Sequence, residues 1–124
     1  MNLFGGGKRV RIYISEQDKA GRQPLWEALL GLLRDNGAAG ATIFRAQAGF
    51  GAHSRIRIAR LADIVPDLPV VVEWIDDPAR VERLLPRVSA LVEHGAITIE
   101  DVELLKYSPR LAEPNESEGE DSPT

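Results

Sequence analysis

Residues 45–60, RAQAGFGAHSRIRIAR, hold four arginines, one histidine and a Gly-Phe-Gly in sixteen positions without a single carboxylate. The chemistry of that set is anion recognition, because a guanidinium group presents a planar fork that matches phosphate or carboxylate in two parallel hydrogen bonds. Arg55 and Arg57 alternate with Ile56 and Ile58, so an extended backbone places both charges on one side. Gly49 and Gly51 flank Phe50; they allow positive φ and a close approach of the backbone to another surface, while the ring can stack or plug a pocket. Neither a dinucleotide GxGxxG nor a Walker loop is present, since no Gly-Lys-Ser/Thr follows. His53 and Ser54 have the types of a base and a nucleophile. Neighbours on a strand point to opposite faces, however, and no third residue orients them. Two well-separated histidines, His53 and His94, and no cysteine give no transition-metal set.

The elements that must position this segment are legible from periodicity. In KRVRIYI, Val10, Ile12 and Ile14 share one face and Arg9, Arg11 and Tyr13 the other, which predicts a strand with one buried side. Pro24 at a helix N1 position opens a helix with the stripe Leu25, Leu29 and Leu32, widened by Trp26, Leu30 and Leu33 and capped by Gly37. GATIFRAQA alternates again, and LPVVVEWI is a β-branched run entered through a proline; both are predicted strands. Asp77 as N-cap with Pro78 at N1 opens a second helix through Val81, Leu84, Leu85, Val88, Leu91 and Val92, closed by Gly95. AITIEDVELLKY supplies the last strand, with a break expected near Glu100 and Asp101. The order β-α-β-β-α-β predicts an α+β, ferredoxin-like split βαβ fold, an antiparallel four-stranded sheet with two helices on one face. Residues 49–66 are too long for a tight hairpin, and loops of that length in small domains usually carry function.

Composition bounds the rest. The chain of 124 residues is of single-domain size. Its net charge of −4 resides in residues 110–124, where five acids face only Arg110, while residues 1–109 balance. The expected organisation is therefore one folded domain over 1–109 and a disordered acidic tail over 110–124. Without a signal-like apolar core at the N-terminus, a stretch of roughly 18 apolar residues or any cysteine, the expected setting is cytoplasmic, with no membrane insertion.

The stretches RVRIYISEQD, GRQPLWEALLGLLRDNGAAGATIFRAQAGFGAHSRI and LPVVVEWIDDPARVERLLPRV resemble an uncharacterised bacterial and archaeal family of PII-like proteins. More distantly they are similar to the PII nitrogen-regulatory proteins, sharing a glycine before the second strand, the Gly-Phe-Gly at its end and the Leu-Pro entering the third. The resemblance runs from about Lys8 to Tyr107. It implies a homotrimer that binds small effectors, commonly adenine nucleotides, between subunits, and a mobile T-loop at 49–66 that touches a target such as a membrane transporter or channel. On that reading Gly49, Phe50, Gly51, His53, Ser54, Arg55 and Arg57, with Gly95 from the turn after the second helix, bind the anionic effector, and the protein is a regulator rather than an enzyme, with no cofactor. The sequence departs from PII in that turn: EHGAITIEDVE has Gly95 but no lysine, and carries Glu100, Asp101 and Glu103, leaving Lys106 and Arg110 as the nearest basic counterparts. No tyrosine stands in AGFGAHSRIRIAR, so uridylylation there is not expected. Two other classes fit the fold less well. A nucleic-acid-binding module would need an aromatic-rich RNP pattern and a basic domain, and a small phosphate-handling hydrolase would need an acid–base set.

Overall fold

A computed structural model describes residues 3–51, 56–58 and 67–110 of the chain. It contains strand β1 (Leu3–Ser15), helix α1 (Leu25–Asp35), strand β2 (Thr42–Arg45), strand β3 (Pro69–Asp76), helix α2 (Pro78–Leu91) and strand β4 (Ala96–Tyr107). Two short ribbons, Lys19–Ala20 with Gln23–Pro24 and Ala48–Gly49 with Arg57–Ile58, complete the pattern. The sheet order is β2-β3-β1-β4 and every pairing is antiparallel, as the split βαβ reading requires.

Alternation sorts the strands into a core face and an open face. Val10, Ile12 and Ile14 of β1 and Val70, Val72 and Trp74 of β3 are buried, and against them pack Leu25, Leu29 and Leu33 of α1 and Val81, Leu84 and Val88 of α2. Both helices therefore lie on one face. Asp77 caps α2, its carboxylate accepting the Arg80 amide at 2.8 Å, with Pro78 following as the first helical residue.

Three local expectations change. Pro24 stands just before α1 rather than inside it: its ψ of 138° keeps it extended, paired to Lys19, and the helix begins at Leu25. β4 is continuous from Ala96 to Tyr107 instead of breaking near Glu100. Its partner β1 extends back to Leu3, and Arg9 and Lys8 stand opposite Glu100 and Asp101, so the adjacent acids are both paired and the ladder runs on. The predicted strand over residues 40–48 is regular only to Arg45; at Ala46 the amide turns to the Pro69 carbonyl at 2.9 Å, and the chain enters the Ala48–Gly49 ribbon. The expected tail lies, apart from Arg110, outside the described residues.

Candidate functional site

The basic segment emerges where β1 ends and β3 begins. Gly49 pairs with Arg57, and a Cβ on Gly49 would sit 2.8 Å from Cγ of Pro69. Glycine is therefore needed there for close approach, not for positive φ, which neither Gly49 nor Gly51 adopts. Phe50 and Ile56 are exposed beside this ribbon. Arg57 is not free to await a ligand, because its guanidinium donates to Asp67, which also accepts the Ser15 hydroxyl. The incoming limb is tied similarly: Arg45 donates to Glu16 at 2.5 Å, and the Glu16 amide donates to the Leu68 carbonyl at 2.9 Å. Both limbs of the loop are thus anchored on the turn after β1.

Of the residues assigned from sequence, Gly49, Phe50, Gly51 and Arg57 are brought together at this loop base, whereas His53, Ser54 and Arg55 lie outside the described residues. Gly95 occupies the same end of the sheet but beside β4. Pro69 pairs with Ser15 and Ala96 with Tyr13, so the intervening β1 places about 10 Å of sheet between the two groups within one chain. A Cβ on Gly95 would lie 2.4 Å from the Tyr13 carbonyl oxygen.

At the opposite end of the sheet lies a feature that sequence reasoning missed, a hollow of about 330 Å³ lined by Ala39, Gly40, Ala41, Thr42, Glu73, Ile75, Leu104 and Tyr107. That size is at the lower end of small-molecule sites. Its floor is the open face, where Thr42 of β2 stands opposite Glu73 of β3. One wall is the chain entering β2, and Asp76 fixes that wall. This carboxylate is fully buried and accepts four donors: the Ala39 amide at 2.8 Å, the Trp74 indole at 3.0 Å, the Asp77 amide at 2.9 Å and Arg80 at 2.7 Å. A buried charge so surrounded is satisfied rather than strained, and it locks the α1–β2 connection to the start of α2. The other wall is the far end of β4. The sequence did hold one signal for Asp76, since it continues the buried series Val70, Val72, Trp74 at period two.

The rest of the open face is a line of paired charges. Arg9 donates to Glu100 at 2.7 Å, and Arg11 donates to Glu73 at 3.0 Å while lying 3.8 Å from Glu100. The hydrogen bond from Arg9, helped by its charge and by Arg11, holds the Glu100 carboxyl below the ordinary carboxylate range, and Glu73 pushes Arg11 further up. Tyr13 and Phe44 stand exposed on this same face. Among the described residues no group of three or more His, Cys, Asp or Glu is placed to hold a metal ion, and no helix is long and apolar enough to cross a membrane.

Two helices on one face of an antiparallel β2-β3-β1-β4 sheet define an α+β protein of ferredoxin-like fold. A putative PII-like signaling protein from Thermus thermophilus has this fold with a TM-score of 0.58, covering 82% of this chain and 92% of its own at 21% identity. CPII from Thiomonas intermedia K12, in a structure bound to ADP and bicarbonate, matches at a TM-score of 0.54 over 82% of this chain and 91% of its own, with 20% identity. The chain belongs to the DUF190 family, described as Uncharacterized ACR, COG1993, which matches residues 7–104. A UPF0166 protein from Aquifex aeolicus (strain VF5) is 39% identical over 98 residues, 79% of this chain and 92% of that protein. The expectation of an uncharacterised PII-like family is met.

Proposed function

We propose that this protein is a PII-like regulatory subunit, not an enzyme, that binds an adenine nucleotide and reports its presence to a partner protein through the 49–66 loop. The observation that carries this reading is a ligand-sized hollow built into the end of a PII-like sheet, in a fold shared with a protein whose structure contains ADP. The lining favours the nucleoside half of such an effector. Ala39, Ala41, Ile75 and Leu104 offer apolar contact, and the Glu73 carboxylate, acceptor-only when ionised, takes hydrogen bonds from ribose hydroxyl or amino groups. The same carboxylate, already holding Arg11, offers phosphate no donor, so the phosphates extend away from it toward basic side chains. Arg45 and Arg57 are engaged by Glu16 and Asp67, so Arg55 and Arg60 are the arginines of residues 45–60 assigned to supply that charge.

In this reading the active form is a homotrimer. The open face, with Tyr13 and Phe44 exposed, is covered by neighbouring copies, and the effector lies between subunits, its nucleoside in the hollow of one copy and its phosphates toward Gly49, Phe50, Gly51, His53, Ser54, Arg55 and Arg57 and the turn at Gly95 of neighbouring copies. The partner is a transporter or channel that meets the loop from outside the membrane core. A thermal-shift panel of AMP, ADP, ATP, cyclic AMP and cyclic di-AMP tests the proposal. A binder at about 100 times its Kd stabilises the native state by about 2.7 kcal/mol, which raises the melting temperature by about 10 °C. No shift with any of the five contradicts a nucleotide effector.

A further inference from the structure

We propose that the end of β4 is a strap that closes the hollow, with the Tyr107 hydroxyl as its latch; the consequence for ligand residence rests on the nucleotide reading above. From Lys8↔Asp101 to Gly5↔Leu104 the pairing of β1 with β4 is regular, and continued unchanged it would set Lys106 opposite Leu3. Instead Leu3 pairs with Tyr107, so β4 carries one extra residue between Leu104 and Tyr107. Such a bulge turns subsequent side chains to the other face. Without it Tyr107 and Leu104, three positions apart, would point to opposite faces of the ribbon; with it both line the hollow. Leu105, in the bulge, is 93% exposed. Gly5, opposite the irregularity, has φ of 92°, and Leu104 lies across Gly7, its Cδ1 2.9 Å from where a Cβ on Gly7 would stand.

The re-aimed ring makes one specific bond. Tyr107 donates from its hydroxyl to the Ala39 carbonyl at 2.6 Å, while the Ala39 amide donates to Asp76 at 2.8 Å. The Ala39 peptide is therefore held from both sides, by a fully buried carboxylate within and by a half-buried tyrosine at the rim. Asp76 is the fixed anchor, since releasing it uncovers a buried charge. Tyr107 is the last residue of β4, and strand termini open before strand interiors, so it is the side that opens.

The test is Tyr107→Phe in the full chain, which keeps the ring and removes the hydroxyl. Amide hydrogen exchange over residues 39–42 should accelerate about fivefold, the equilibrium weight of one net hydrogen bond, while exchange in the β3 segment Val70–Trp74 stays unchanged. ADP should leave the variant about fivefold faster, on the same grounds. Leu105→Ala, which keeps both the bulge and the hydroxyl, should behave as the unsubstituted protein. Unchanged exchange at 39–42 overturns the strap, and faster exchange with unchanged ADP residence overturns its control of binding. If neither protein binds ADP, the nucleotide reading fails, and exchange alone decides whether the strap exists.

Discussion

Gly95 has no room for a side chain: φ is 145° and a Cβ would fall 2.4 Å from the Tyr13 carbonyl oxygen. Gly95→Ala must displace β1 or the turn, and should destabilise the fold by about 1–3 kcal/mol, read as a lower urea midpoint. An unchanged midpoint would contradict the geometry. Periodicity marks this position as a helix stop and the resemblance as an effector contact, but its crowding comes from a residue more than eighty positions away. Asp76 shows the same limit. Its place in the period-two series was visible, yet its neighbours Asp77 and Pro78 signal a helix cap, and the amide it holds belongs to Ala39. Arg57 was legible as a cation but not as one already engaged by Asp67. Residue types announce capacity; partners distant in sequence decide its use.

Elements were legible where a single period dominates. Val10, Ile12 and Ile14 marked β1, and Leu25 and Leu29 marked α1, because strands alternate at two and helices recur near 3.6. The bulge in β4 was not legible, since it depends on which β1 residue faces which and on Gly5 accommodating the irregularity. Helix α2 carries a feature against its own propensity: Pro86 lies inside it, lacking the amide that would bond to the Glu82 carbonyl. The side chain is exposed, so Pro86→Ala should preserve packing and restore that bond. Stabilisation of about 1–2 kcal/mol is expected, less than the full ~3 kcal/mol helix-interior penalty because alanine also gives the unfolded chain more freedom. Chemical denaturation checks it, and a lower midpoint for the variant would mean that Pro86 shapes the helix rather than interrupting it.

At the scale of the molecule, the sheet leaves one face and the outer edge of β4 without a covering element among the described residues. Exposed edges and exposed aromatic side chains are usually covered by association. Light scattering should therefore give about three times the 13.6 kDa of one chain, and a concentration-independent monomer mass would remove the proposed trimer. The hollow offers the sharpest examination of the functional account, because Gly40 lines it while open space surrounds the position of its absent Cβ. Gly40→Val should thus narrow the hollow without disturbing the fold. The decisive measurement is calorimetric titration of ADP into the unsubstituted protein and into Gly40→Val, with melting temperatures checked in parallel. Binding to the unsubstituted protein, weakened about tenfold or more in the variant at an unchanged melting temperature, is the predicted result, a loss of at least ~1.4 kcal/mol. Equal ADP affinity in both proteins would contradict the claim that this hollow receives the effector.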